Sequence, residues 1–168
     1  MSMRTAAVLT VSDSSARGER ADRSGPATAE LLRQEGFDVI HQEIVPDDQP
    51  TIESALVRLS DQVQLIVTTG GTGIADRDVT PKATRAVCSK LIQGIPEKMR
   101  AERTANTSYA ILSRGVCGVR GRTLILNLPG SPTGASESLL AVIEILPHAL
   151  DLLAGKTVHD DAHPPRDE

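Results

Sequence analysis

The sequence predicts an α/β protein built on a mostly parallel sheet with helices on both faces. Two observations carry this. For most of the 168 residues, short apolar runs of strand length alternate with segments whose apolar residues recur at helical spacing, the pattern of parallel strands joined by crossover helices. Only the region 109–128 places two short apolar runs in succession without a helix between them. That region predicts one local antiparallel element.

Residues 6–11 are a compact apolar run closed by Ser12-Asp13-Ser14-Ser15, a buried strand followed by a loop. The loop reaches about residue 24 and is polar and charged, with Gly18, so it reads as mobile. Ser24-Gly25-Pro26 opens a helix that Gly36 ends. A second strand covers 37–45, and Pro46-Asp47-Asp48 turns the chain. Pro50 opens the clearest helix, with Ile52, Ala55, Leu56 and Leu59 at i, i+3, i+4 and i+7 on one stripe. The third strand covers 65–69. Pro81 then takes the first helical position behind Thr80 as N-cap, in a helix reaching about residue 90. A less regular helix covers 96–104. Residues 109–112 read as a short strand, 118–121 as a turn and 123–128 as a strong strand, ended by Pro129-Gly130-Ser131-Pro132. Residues 135–154 are helical in pattern, with Pro147 kinking or restarting the helix and Gly155 closing it. Residues 156–168 carry charges and two prolines and read as a disordered tail, which leaves 1–155 as one domain.

Composition narrows the function. Apolar residues make up 39% and charged residues 24%, as in a soluble globular protein. Phe37 and Tyr109 are the only aromatic residues, so the core must pack through Val, Ile, Leu and Ala. The same scarcity, with a net charge of −4, argues against a nucleic-acid partner, which needs stacking platforms and a basic surface. Cys88 and Cys117 form no metal-ligand pair and fit a reducing compartment. The apolar run near the start is too short for a secretory signal core, and no segment suits a membrane span. The expectation is a cytoplasmic protein with no membrane partner.

Four loops fall at predicted strand ends, where open α/β sheets bind ligands: residues 12–15, 46–48, 70–78 and 127–131. The most informative is Thr68-Thr69-Gly70-Gly71-Thr72-Gly73, followed by Arg77-Asp78-Val79-Thr80-Pro81. Its glycines let backbone N–H groups approach a phosphorylated ligand, though a tight strand-to-helix turn favours glycine equally. Asp78 can hold Mg²⁺, which takes one or two carboxylates plus substrate phosphates; it can equally be an acid that suits a helix N-terminus. Asp47 and Asp48 can likewise be functional acids, or simply turn residues after Pro46. Ser12, Asp13, Ser14 and Ser15 offer hydrogen bonds to a polar ligand or simple turn chemistry. Arg77 can pair with phosphate oxygens or be a plain exposed charge. No histidine-based or cysteine-based catalytic set is present.

Taken in order, Thr10-Val11-Ser12-Asp13-Ser14, Ser24-Gly25, Pro46-Asp47, Thr69 to Gly73, Arg77 to Pro81, Leu112-Ser113-Arg114 and Leu128 to Pro132 closely resemble the Mog/MoaB family of molybdenum cofactor biosynthesis, which includes the G domain of gephyrin. The resemblance covers about residues 5–155. It implies a three-layer α/β/α sandwich, a homotrimer, and a site for molybdopterin. For the Mog branch it implies an adenylyltransferase that uses Mg²⁺ and ATP and releases pyrophosphate; for the MoaB branch, a non-catalytic carrier stays open. By the same likeness Asp47 and Asp78 match the family's essential aspartates and would hold Mg²⁺. Substrate contacts would come from Thr10, Ser12, Asp13, Ser24, Gly70, Gly71, Thr72, Gly73, Pro129, Gly130 and Ser131, with Ser113 on the pterin. The molybdenum-insertion enzyme of the pathway is an expected partner. Lys82 departs from the acid common after the Thr-Pro pair.

Overall fold

The computed structural model describes residues 2–156, so the tail expected over 156–168 lies, after Lys156, outside the described residues. Six strands form one sheet: β1 (Arg4–Val11), β2 (Phe37–Val45), β3 (Leu65–Thr69), β4 (Lys90–Leu91), β5 (Cys117–Arg120) and β6 (Thr123–Leu128). Their spatial order is β2-β1-β3-β6-β5-β4. The four strands from β2 to β6 run parallel, while β5 pairs antiparallel with both β6 and β4. This is the mostly parallel sheet with a local antiparallel element that the sequence predicts.

The helices are α1 (Asp13–Ala16), α2 (Ser24–Gln34), α3 (Gln49–Ser60), α4 (Thr80–Val87), α5 (Gly94–Arg103), α6 (Pro132–Val142) and α7 (Leu146–Leu153). They cover both faces. Alternation along the strands splits the core in two. Val8, Leu65, Val67, Leu124 and Leu126 face α2, α5, α6 and α7. Ala7, Leu9, Ile66 and Ile125 face Ile52, Leu56 and Leu59 of α3 and Ala83 of α4. All five residues of β3 are buried, as in a central strand covered on both sides. No helix among the described residues is long and apolar enough to cross a membrane.

Several elements differ from the sequence reading. Residues 109–112 are not a strand but part of a 3-10 helix, Ser108–Leu112, capped by the Thr107 hydroxyl, which accepts from the Tyr109 N–H. Only Ala110 is buried there; Tyr109, Ile111 and Leu112 face outward. The expected turn at 118–121 is mostly strand β5, and the turn shrinks to Gly121 and Arg122 between Arg120 and its partner Thr123. The loop after β1 contains the short helix α1, capped by Ser12, whose hydroxyl accepts from the Ser15 N–H at 3.2 Å. Thr80 is the first residue of α4 rather than its cap, and its hydroxyl donates to the Gly70 carbonyl at 3.0 Å. The long C-terminal helix breaks at residues 143–145, and Pro147 sits in the first turn of α7, where its missing N–H costs nothing.

From β1 the chain crosses to β2 on one side, then returns to lay β3 on the other. The reversal leaves a crevice at the carboxyl ends of β1 and β3.

Candidate active site

The loops after β1, β2, β3 and β6 meet at this crevice. A cavity of about 440 Å³ there is walled by Thr10, Ser12, Ser24, Asp47 and Asp78, with Gly70, Gly71, Gly130 and Ser131 on the backbone side. A second cavity of about 300 Å³ is lined by Thr72, Gly73, Ser113, Pro129 and Ser131. Ser131 borders both, so the two are neighbours across one serine. Of the site residues that the resemblance implies, the structure places all but Asp13 on these two cavities; Ser14, Asp48 and Arg77, offered by loop chemistry alone, line neither. Asp13 does not line either cavity; it is turned into the loops.

Asp13 and Asp47 join the first two loops reciprocally. The Asp13 N–H donates to Asp47 Oδ2 and the Asp47 N–H donates to Asp13 Oδ1, each at 3.0 Å. The second oxygen of Asp13 takes Arg77 Nε at 2.6 Å. Asp48 behaves differently from its neighbour: its carboxylate caps α3, accepting from the Thr51 N–H at 3.1 Å. Of the two adjacent acids, Asp47 faces the cavity and Asp48 serves the helix.

The glycine loop is fixed from several directions. Gly70 and Gly71 have φ of +91° and +67°, a region that side chains other than glycine enter at a cost of about 1–2 kcal/mol. A Cβ on Gly70 would strike the Val11 carbonyl, and one on Gly71 would strike the Thr80 hydroxyl and lie 3.1 Å from Asp47 Oδ1. Arg114 clamps the far half: its N–H donates to the Thr72 carbonyl at 2.8 Å, its Nε to the Gly73 carbonyl at 2.7 Å and its Nη2 to the Asp78 carbonyl at 2.5 Å. Below the loop, buried Asn127 satisfies all its polar atoms. It donates to Thr68 and Thr84 at 3.0 Å each, and it accepts from the Val116 N–H at 3.2 Å.

The carboxylates share one electrostatic neighbourhood. Burial pushes the Asp47 carboxyl up from its ordinary value; the Asp13 N–H pulls the other way, the charges of Asp13 and Asp78 add to the rise, and Arg77 opposes it. For Asp13, burial also raises, but the Asp47 N–H and the Arg77 guanidinium outweigh it and hold the carboxyl low. Asp47 and Asp78 each have Oδ2 tied to a backbone N–H, from Asp13 and from Ala75 respectively, both at 3.0 Å. Neither Oδ1 accepts a hydrogen bond among the described residues. No cluster of three or more potential metal ligands exists among the described residues. Two oriented carboxylates with free oxygens, facing a cavity sized for a phosphorylated ligand, nonetheless fit Mg²⁺, which takes few protein ligands and completes its shell with phosphates and water.

Sequence reasoning missed Asp22 and the rim arginines Arg20 and Arg23, in the loop read as mobile. Asp22 Oδ1 accepts from the Gly25 N–H at 3.0 Å and Oδ2 from the Thr10 hydroxyl at 2.7 Å. Asp22 precedes Arg23, the N-cap of α2, which has no side-chain cap of its own; an acid just before a helix start is the local signal that points to it. Ser24 makes a buried 3.0 Å hydrogen bond with Thr69 across the crevice, so its hydroxyl also supports the wall. The clamp by Arg114 leaves no local signal, because its partners lie 36 and 41 residues away.

Residues 7–148 match the family described as a probable molybdopterin binding domain. A molybdopterin adenylyltransferase from Helicobacter pylori (strain J99 / ATCC 700824) is 43% identical over 152 residues, covering 88% of this chain and 86% of its own length. A molybdopterin adenylyltransferase from Escherichia coli (strain K12) is 40% identical over 139 residues, 80% of this chain and 71% of its own length. Among solved structures, the molybdopterin biosynthesis enzyme MoaB from Thermus thermophilus superimposes with a TM-score of 0.86 at 51% identity, covering 92% of this chain and 98% of that one. With the three-layer fold and the ordered loops agreeing, the chain belongs to the Mog/MoaB family of molybdenum cofactor biosynthesis proteins.

Proposed function

We propose that this nucleotidyltransferase is a molybdopterin adenylyltransferase, moving AMP from Mg-ATP to the terminal phosphate of molybdopterin and releasing pyrophosphate. The observation that carries the proposal is the convergence of Asp47, Asp78 and the Gly70-Gly71 backbone on one cavity that borders a second across Ser131. The two adenylyltransferase relatives at 43% and 40% identity support it.

In this reading the larger cavity takes ATP and the Ser113 cavity takes the pterin, so the two phosphates meet beside Ser131. An oxygen of the molybdopterin phosphate attacks the α-phosphorus of ATP; the bond to the bridging β-oxygen breaks, and pyrophosphate leaves with that electron pair. The attacking phosphate is ionised near neutral pH and needs no general base, which suits a site without histidine. Catalysis then rests on positioning and on offsetting negative charge. Asp47 and Asp78 would present their free oxygens to Mg²⁺, whose contribution when bound is to neutralise phosphate charge. Gly70 and Gly71 admit the phosphates close to the backbone, and Arg20 and Arg23 at the rim face their remaining charge.

The reading extends to a single domain over 1–155, a homotrimer, and contact with the molybdenum-insertion enzyme. The outward-facing Tyr109, Ile111 and Leu112 supply apolar surface for assembly. Incubating the chain with molybdopterin, ATP and Mg²⁺ tests the activity. The expected result is adenylylated molybdopterin and stoichiometric pyrophosphate; molybdopterin binding without either product would make the protein a carrier instead.

A further inference from the structure

Arg77 precedes Asp78 in the glycine loop, and its guanidinium rests on Asp13: Nε donates to Oδ2 at 2.6 Å, and Nη2 pairs with the same oxygen. The other oxygen of Asp13 accepts the Asp47 N–H. Asp13 thus uses both oxygens inside the protein, and its side chain is only 18% exposed. Arg77 is the opposite case. Its side chain is 69% exposed, and Asp13 is its sole hydrogen-bond or ion-pair partner among the described residues. Such an exposed pair is weakly held, because solvent screens it and fixing a long side chain costs entropy. Arg77 does not itself line the cavity, but its chain neighbour Asp78 does, and its partner Asp13 is hydrogen-bonded to Asp47 on the cavity wall; a triphosphate there offers several anionic oxygens, for which arginine has better geometry and more charge to meet. The charge of Arg77 also reaches Asp47, which walls that cavity.

Resting on the reading of this cavity as the nucleotide site, we infer that Asp13 is a positioning residue rather than a ligand contact, and that Arg77 exchanges Asp13 for phosphate oxygens when the nucleotide binds. The pair then has two consequences of opposite sign. It keeps Asp47 and the glycine loop in register, and it competes with the nucleotide for the guanidinium. Removing the charge on Asp13 frees Arg77 for phosphate. Removing Arg77 takes the phosphate contact away.

Calorimetric titration of Mg-ATP into the full chain tests this with Asp13→Asn, Arg77→Ala and the double variant. Asn retains an oxygen for the Asp47 N–H and puts an amide nitrogen, a donor, under Arg77, so the ion pair and its hydrogen bond are lost together. Asp13→Asn is expected to bind about 2- to 5-fold more tightly than the parent. Arg77→Ala should bind about tenfold more weakly, and the double variant should match Arg77→Ala. A purely structural Asp13 would not tighten binding. Unchanged or weaker binding by Asp13→Asn at an unchanged melting temperature would overturn the inference. Should Asp13→Asn fold poorly, unchanged affinity in Arg77→Ala would overturn it instead. If the parent chain binds no Mg-ATP, the nucleotide reading itself fails and takes the inference with it, an outcome distinct from a parent that binds while its variants fall in the wrong order.

Discussion

Asp47 combines burial, two neighbouring carboxylates and a single backbone hydrogen bond, and each has an energetic sign. Burial and the charges of Asp13 and Asp78 raise its carboxyl above the ordinary 3.8 in the folded protein. The folded chain therefore holds that proton more readily than the unfolded chain. Relative to the unfolded state, the stability contribution is fully present below pH 3.8 and is lost as pH rises through the elevated value. At neutral pH the ionised carboxylate is a liability to the fold, which the Mg²⁺ of the proposed reaction would offset. Asp47→Asn retains an acceptor for the Asp13 N–H, so it should melt at or above the parent at pH 7, with the gap narrowing as pH falls through the elevated value and closed below 3.8. Adenylyl transfer should drop about 100-fold or more in the same variant. Thermal denaturation across pH checks the first part; a melting temperature well below the parent at pH 7 would contradict it. Asp48→Asn, by contrast, acts on the α3 cap.

At the scale of elements, the glycine loop between β3 and α4 shapes the site. Its left-handed Gly71 lies under both Thr80 and Asp47. Gly71→Ala should cost about 1–2 kcal/mol of stability from the backbone alone, and it should also weaken Mg-ATP binding by displacing Asp47. Denaturant unfolding paired with calorimetry measures both; a stable variant with parental affinity would show that the loop tolerates a side chain there. The strands that frame this loop were legible because they are runs of Val, Ile and Leu buried on both faces, as β1, β3 and β6 show. β5 was not, since Cys117–Arg120 contains a glycine and owes its conformation to pairing with β6. Residues 109–112 misled for the opposite reason: their apolar side chains mark a surface rather than a core. In the site, Asp47, Asp78 and the glycines stood out because loop chemistry is local. The inward turn of Asp13 was hidden, because it depends on partners 34 and 64 residues away.

At the scale of the molecule, one sheet with a packed core on each face fixes four strand ends side by side. The site is thus held by rigid elements, and its loops need only short clamps such as Arg114 and Asn127 to set their final positions. This arrangement predicts that charge at the crevice can be altered without disturbing the fold. Asp78 is the decisive position, since its backbone is anchored by Arg114 and its Oδ1 accepts from no donor among the described residues. The most direct measurement is pyrophosphate release from ATP and molybdopterin by Asp78→Asn, read beside its melting temperature and molybdopterin affinity. The metal-assisted account predicts a parental melting temperature, parental molybdopterin binding and loss of pyrophosphate release; full release by this variant would contradict it.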